Sequence, residues 1–189
     1  MTPTTAATAS ATRALFAALA FCVLVFVARA ATSVPRGLRA NYFSNGEFAG
    51  APLFSQLDSE ITTAHVTDAW RADVPSAFSV RWRGYIAVPR RADYEFTTTS
   101  DDASHVLIDG RLVVDNGGTH GPVTRRGRVT LDRGPHAVSI DYVQSGGPYA
   151  LEWMWARAGD TPRAVPGWLL SPGRTSYGRA FASRALDWA

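Results

Sequence analysis

The 189-residue sequence has no lysine and only one cysteine, Cys22. A single cysteine cannot pair within the chain, so internal disulfide bonds are excluded and the redox compartment is left open. The sequence also lacks a GxSxG nucleophile motif and a glycine-rich phosphate loop, and its four histidines are not spaced like a metal-binding HxxxH pair. These absences argue against an enzyme and against a zinc site.

Net positive charge is confined to the two ends of the sequence, and the central region is slightly acidic. The net charge is +3. Residues 38–172 contain 13 arginines against 15 acidic residues, a balance of −2, whereas the ends contain 6 arginines against 1 aspartate, a balance of +5. Proteins that bind nucleic acid need a basic face, which the central region does not provide. Nucleic acid is therefore not an expected partner, and the basic ends suit a membrane neighbourhood.

A run of uncharged residues near the N-terminus, residues 14–28, is flanked by Arg13 and Arg29. Its 15 residues fall short of the ~20 that span a bilayer but match the upper end of a signal-peptide apolar region. Ala28-Arg29-Ala30 also supplies a small-x-small cleavage pattern. A cleaved signal peptide, an uncleaved anchor with interfacial arginines and a buried core helix remain open. We assign residues 1–31 to a signal peptide or membrane anchor, which predicts an exported domain.

The remaining chain shows the turn chemistry of an all-β protein. It is rich in glycine, proline and aromatic residues, with 16, 11 and 21 of them in the whole sequence. Asp109-Gly110 lies between two β-rich runs and predicts a hairpin, because both residues tolerate positive φ. Asp132-Arg133-Gly134-Pro135 separates RVTL from HAVSIDYV in the same manner. No helical period is evident before the last fifteen residues, so we predict an antiparallel β-sandwich or barrel.

Alternating apolar residues indicate which strand faces are buried. For the tryptophans among them, core packing is the main expectation and ligand stacking is the alternative. The alternating sets are Phe78, Val80 and Trp82; Val138, Ile140 and Tyr142; and Tyr149, Leu151, Trp153 and Trp155.

The C-terminal segment, residues 173–189, has the pattern of a short amphipathic helix. It places Tyr177, Phe181, Ala185 and Trp188 on one stripe. Packing onto the domain and lying at a membrane surface are both consistent with this stripe. The absence of a C-cap signal leaves open whether the chain continues beyond Ala189.

Two adjacent carboxylates, Asp101 and Asp102, follow a predicted strand. Neighbouring side chains of a regular strand point to opposite faces, so a shared site requires irregular backbone such as a cis peptide bond. Three interpretations remain at this stage: a turn capped by side-chain hydrogen bonds, calcium-dependent glycan binding, and catalysis.

Several blocks in sequence order resemble the protective-antigen fourteen-kilodalton domain family, over residues 38–172. The blocks are FSVRWRGY (78–85) with Pro89, YEF (94–96), SDD (100–102), IDG (108–110), VDN (114–116) with His120, GPH (134–136), and DY (141–142) with GG (146–147) and Leu151. The resemblance implies a β-sandwich of that family, with an N-terminal apolar helix and a short C-terminal helix outside it.

The resemblance also implies a ligand set. In adhesin members of the family, two consecutive aspartates joined by a cis peptide bind Ca²⁺ together with an asparagine and backbone oxygens of a later loop, and sugar hydroxyls coordinate the ion. Here the implied calcium ligands are Asp101, Asp102 and Gln144, with Gln144 standing where the asparagine would be. The expected ligand-binding residues are Asp101, Asp102, His105, Asn116, Gln144 and Tyr149.

Two of these residues have specific interpretations. Tyr149 is a candidate stacking surface for a sugar, whereas for Asn116 local loop bonding is favoured over direct ligation. The sequence therefore predicts an exported, non-catalytic carbohydrate-binding module assisted by calcium. The alternative is an accessory ectodomain of a larger membrane protein that binds no ligand of its own.

Overall fold

The structure, a computed structural model, describes residues 4–71 and 73–185 of the chain. Its first element is helix α1, Thr4–Thr32, which contains the uncharged run. Within the described residues, no helix meets the length and hydropathy needed to cross a membrane. Residues 34–181 form a unit of their own, and this unit contains all the strands.

Eleven strands are found among the described residues. In chain order they are β1 (Leu38–Phe43), β2 (Phe54–Asp58), β3 (Phe78–Val88), β4 (Ala92–Asp101), β5 (Ser104–Ile108), β6 (Arg111–Asn116), β7 (Val123–Leu131), β8 (Gly134–Gln144), β9 (Ala150–Arg157), β10 (Arg163–Ala164) and β11 (Leu170–Ser171). Helix α2, Thr63–Trp70, follows β2, and helix α3, Tyr177–Ala185, follows β11. A short 3₁₀ turn, Gly167–Leu169, precedes β11.

The strands form two antiparallel sheets, as the sequence predicts. One sheet has the order β2-β1-β3-β8-β5-β6 with β11 beside β3, and the other has the order β10-β9-β4-β7. Buried side chains from both sheets join one hydrophobic core. Gly127 of β7 allows a close approach to β6, because a Cβ atom at this position would overlap the carbonyl oxygen of Val113.

The predicted hairpin at Asp109-Gly110 is confirmed. Both residues have positive φ, 51° and 78°, and they connect the paired strands β5 and β6. The turn at residues 132–135 differs from the prediction, because β7 and β8 lie in different sheets and the segment carries the chain from one sheet to the other. Local turn chemistry indicates where a strand ends but not which sheet the next strand joins.

The predicted burial of alternating residues is largely confirmed. Trp82 is fully buried, and Trp153 and Trp155 are 3% and 4% exposed, so all three belong to the core. The expectation that residues 38–172 contain no helix is wrong, because α2 lies between β2 and β3. The Thr62 side chain caps α2 by accepting a hydrogen bond from the amide of His65.

Part of the apolar stripe predicted for the C-terminal segment packs against another aromatic ring. The Trp168 ring lies 5.8 Å from that of Tyr177 and 6.3 Å from that of Phe181. These two members of the stripe therefore pack against a residue of the β-domain. Trp188 lies outside the described residues, as does the side chain of Arg29 near the predicted cleavage site.

Candidate functional site

Strand ends bring three segments together at one end of the domain. Antiparallel pairing places Asp101 of β4 opposite Ala150 of β9, and Ser104 of β5 opposite both Asn116 of β6 and Tyr142 of β8. The turn after Asp101, the loop between β6 and β7 and the loop between β8 and β9 therefore share this end. We call residues 117–122 the first loop and residues 145–149 the second loop.

Asp102 ties both loops to the end of β4. Its carboxylate is nearly buried, with 4% of the residue exposed. Oδ1 accepts a hydrogen bond from the backbone amide of His120 in the first loop at 2.8 Å, and Oδ2 accepts one from the amide of Ser145 in the second loop at 2.9 Å. A buried carboxylate that accepts two backbone N–H groups is a stable acceptor. Asp102 therefore fixes the position of the two loops.

Asp101 differs from its neighbour in exposure and in partners. The peptide bond between Asp101 and Asp102 is cis, as the resemblance implies. The Asp101 carbonyl oxygen accepts a short hydrogen bond from the hydroxyl of Tyr142. Its carboxylate is only partly buried and makes no hydrogen bond or ion pair with the part of the chain that the structure describes. This leaves a partly exposed residue whose carboxylate has no partner in the described part of the chain, beside the two loops.

Burial, and then the charges of Asp101 and Asp102, raise the pKa of the Tyr142 hydroxyl well above its usual value. The hydroxyl therefore keeps its proton and acts as a donor beneath the site. Its second contact is with Gln144 Oε1 at 3.3 Å.

Gln144 lies under the second loop and is fully buried. Its Nε2 donates to the carbonyl oxygens of Gly146, Pro148 and Gly147 at 2.8, 3.1 and 3.3 Å. These loop carbonyls are the backbone oxygens that the resemblance implies as calcium ligands. Because these carbonyl oxygens surround the amide nitrogen of Gln144, the arrangement does not fit a calcium ion.

The other predicted ligand residues have partners of their own. Asn116 is buried, and its Nδ2 donates to Ser100 Oγ and to the carbonyl oxygen of Val123, each at 2.9 Å. The amide therefore serves local bonding, the alternative that the sequence left open. Ser100 continues the network to Ser104 Oγ at 2.8 Å, a buried hydroxyl pair that no sequence motif indicates.

His105 and Tyr149 are also engaged within the domain. His105 Nε2 lies 3.2 Å from Asp115 Oδ1 on the neighbouring strand. The Tyr149 ring stands perpendicular to Phe78 with a centroid distance of 5.3 Å, and its hydroxyl lies 2.6 Å from Thr67 Oγ1. Tyr149 thus packs against the core and α2. Of the predicted set, Asp101 is the residue whose side chain makes no hydrogen bond or ion pair with the described part of the chain.

A cleft of about 810 Å³ lies near the opposite end of β4 from Asp101. Its lining includes Tyr94, Trp155 and three arginines, one of which, Arg157, pairs with Asp160 at 2.6 Å. None of the predicted site residues lines this cleft.

Comparison with known proteins identifies the family. The PA14 domain profile matches residues 35–165. The chain belongs to the PA14 domain family. This is the protective-antigen fourteen-kilodalton family that the sequence motifs resemble, so the expected family and its β-fold are confirmed.

Two relatives of this PA14 chain are an anti-sigma factor and a protein that contains an anti-sigma factor domain. The anti-sigma-I factor RsgI3 of Acetivibrio thermocellus is 24% identical over 143 residues, which cover 72% of this chain and 21% of that protein. A solved anti-sigma factor domain-containing protein is 25% identical with a TM-score of 0.66, and the match covers 74% of this chain and 49% of that one. The chain thus spans about a fifth and about half of these relatives.

A third similarity is to a solved PA14 sugar-binding domain from an RTX adhesin. It is 20% identical with a TM-score of 0.63, and the match covers 74% of this chain and 99% of that chain. At this identity the similarity shows the PA14 fold, over nearly the whole of the adhesin domain.

Proposed function

We propose that this PA14 domain is a non-catalytic carbohydrate-recognition domain that acts outside the cytoplasm as the sensing part of a larger protein. The similarity to the sugar-binding PA14 domain of an RTX adhesin supports the ligand class, and the two anti-sigma factor relatives support a sensing role. The uncharged run in α1 supports export or anchoring of the domain.

The open carboxylate of Asp101 beside two fixed loops carries this proposal. An ionised carboxylate is an acceptor with room for several hydrogen bonds, and sugar hydroxyls are donors of matching chemistry. Such charge-assisted hydrogen bonds are stronger than neutral ones. Because Asp102 fixes the amides of His120 and Ser145, the surface around Asp101 is preorganised, which lowers the entropic cost of binding a flexible glycan.

A lack of catalysis is part of the proposal. Asp102 has both oxygens engaged by backbone amides, which suits a structural anchor better than a proton donor. The nearby Ser104 hydroxyl is fully buried and bonded to other hydroxyls, so a substrate would not reach it as a nucleophile.

A glycan array with the full 189-residue chain tests the proposal. We expect binding to a restricted set of glycans, and we expect Asp101→Asn to weaken it by about 10-fold to 100-fold, since a hydrogen bond to a charged group contributes ~1.5–3 kcal/mol. Asp132→Asn is the matched control, because Asp132 is an exposed carboxylate in the turn between β7 and β8, at the opposite end of β8 from Gln144.

Two results would contradict the proposal. If the folded chain binds no glycan, the accessory ectodomain without a ligand becomes the better interpretation. If it binds glycans but Asp101→Asn and Asp132→Asn behave alike, carbohydrate is recognised elsewhere on the domain.

A further inference from the structure

The Gln144 side chain occupies the position around which the carbonyl oxygens of the second loop converge. Three of these oxygens lie within 2.8–3.3 Å of Nε2. The opposite orientation of the amide would set Oε1 against three oxygens and would be repulsive, so the hydrogen-bond network assigns the NH₂ group to the loop side. The amide oxygen meanwhile accepts from the Tyr142 hydroxyl at 3.3 Å.

A calcium ion would need these oxygens for itself. Ca²⁺ takes six to eight oxygen ligands at about 2.3–2.6 Å, and a carbonyl that accepts from an amide is directed at the nitrogen. Gln144 cannot swing aside into solvent because it is fully buried. The loop also turns back over it through Gly146 and Gly147, whose φ angles of 146° and 81° are positive.

We propose that Gln144 takes the place of the metal ion in this PA14 domain. Its NH₂ group holds the carbonyls of the second loop together, as a cation would, so the loop keeps its shape without calcium. Where the inference extends to sugar binding, it rests on the proposed function: glycan recognition by this chain is then independent of calcium. Gln144 is accordingly the residue that determines whether this site accepts a metal.

Calcium titration of the full chain tests the metal part of the inference directly. By isothermal titration calorimetry, we expect the wild type to bind no Ca²⁺ at about 1–10 mM, a range above the ~10⁻⁴–10⁻³ M dissociation constants of extracellular calcium modules. Its melting temperature should shift by less than ~1 °C between Ca²⁺ and EDTA, because a ligand that does not bind the native state does not stabilise it.

Gln144→Glu is the variant that should create a calcium requirement. The substitution keeps the side-chain length but turns a carboxylate oxygen toward the three carbonyls, a repulsive arrangement that a bound cation relieves. In EDTA we expect a lower melting temperature than that of the wild type. Calcium at 100 times its dissociation constant should then raise it by roughly 5–10 °C.

Gln56→Glu is the matched control, because Gln56 is the only other glutamine in the chain. Its Nε2 donates to Asp58 Oδ1 at 2.7 Å, so the substitution also places an acid against an acceptor, but without the ring of loop carbonyls. We expect Gln56→Glu to lose stability without comparable rescue by calcium. Equal rescue of both variants would overturn the assignment of the effect to the second loop.

The remaining outcomes are also decisive. Calcium binding by the wild type with a dissociation constant of ~1 mM or tighter would overturn the inference, as would a folded Gln144→Glu variant that ignores calcium. If Gln144→Glu does not fold, Gln144→Asn takes its place: the shorter amide should leave the carbonyls, and this variant should gain calcium binding that the wild type lacks.

Glycan binding measured in Ca²⁺ and in EDTA separates this inference from the proposed function. Equal glycan binding in Ca²⁺ and in EDTA supports both. Loss of glycan binding in EDTA overturns the metal-free inference and leaves carbohydrate recognition intact. If no glycan binds under either condition, the proposed function fails, while the calcium titrations still decide the role of Gln144.

Discussion

Two buried aspartates of the β-domain have different kinds of partners. Asp58 is fully buried, and its carboxylate accepts hydrogen bonds from the side chains of Tyr42, Trp82 and Gln56, each at 2.7 Å, with His65 Nε2 at 2.9 Å. Asp102 accepts from two backbone amides of loops. Asp58 and the four side chains around it form what we call the Asp58 cluster. At Asp102, by contrast, the donors are backbone amides, and the carboxylate holds two loops in place.

We infer that the Asp58 carboxylate stabilises the core, whereas the Asp102 carboxylate holds two surface loops in position. The Asp58 cluster joins β1, β2, β3 and α2 around a fully buried carboxylate. At the other site, Asp102 is similarly occupied, but the carboxylate of Asp101 next to it stays accessible. The two regions can be compared by measuring how strongly the stability of the folded state depends on Asp58 and on Asp101.

The largest effect is expected for Asp58→Ala. The substitution leaves the Tyr42 hydroxyl, the Trp82 indole N–H and the Gln56 amide without their acceptor, and Tyr42 and Trp82 are fully buried. We expect the free energy of unfolding to fall by about 3–5 kcal/mol, since each unsatisfied buried donor costs ~1–3 kcal/mol and the losses partly overlap. Urea denaturation of the full chain measures this change. A loss below ~1 kcal/mol would remove the stabilising role of the Asp58 cluster.

An intermediate effect should appear at alkaline pH. Burial, and then the charge of Asp58, raise the pKa of Tyr42, and burial with the charges of Asp101 and Asp102 raises that of Tyr142. Both tyrosines keep their protons in the folded state at a pH where an unfolded tyrosine, with a pKa of ~10, loses its own. Their contribution to stability is therefore complete below pH ~10 and decreases above it, by about 1.4 kcal/mol per pH unit for each tyrosine.

Denaturation curves between pH ~9 and ~11.5 compare the two regions. Tyr42→Phe and Tyr142→Phe should each reduce the steepness of the alkaline loss, relative to its value in the wild type, by a similar amount. If only Tyr42→Phe does so, the hydroxyl of Tyr142 ionises in the folded state, and the site around Asp101 is more hydrated than the Asp58 cluster.

Much of the fold could be predicted from local sequence patterns. The Asp109-Gly110 hairpin follows from two residues that accept positive φ, and the buried tryptophans follow from period-two alternation. Helix α2 was not predicted because its eight residues include only two buried positions, Val66 and Trp70, which are too few to show a helical period. The ring centroid of its Trp70 lies 5.6 Å from that of Tyr42 and 5.4 Å from that of Phe78, so tertiary contacts stabilise the helix.

The candidate site could be predicted less completely. Their adjacency and the family resemblance predict Asp101 and Asp102 as site residues. The same resemblance includes His120, which lies in the first loop. The direction of the Gln144 amide depends on where three carbonyls of its own loop point, which no residue spacing encodes. The Asp58 cluster was missed for a similar reason, because Trp82 lies 24 residues from Asp58 and no motif links them.

The smallest effect on stability is expected for Asp101→Asn. The carboxylate is partly exposed and has no hydrogen-bond or ion-pair partner among the residues described, and the substitution keeps the backbone carbonyl that Tyr142 contacts. The free energy of unfolding should therefore change by no more than ~0.5 kcal/mol, as for surface substitutions in general. Urea denaturation in the same buffer as Asp58→Ala measures both. A loss of ~2 kcal/mol or more would show that Asp101, like Asp58, is retained for stability, and an unchanged fold with weakened glycan binding would separate the two aspartates by function.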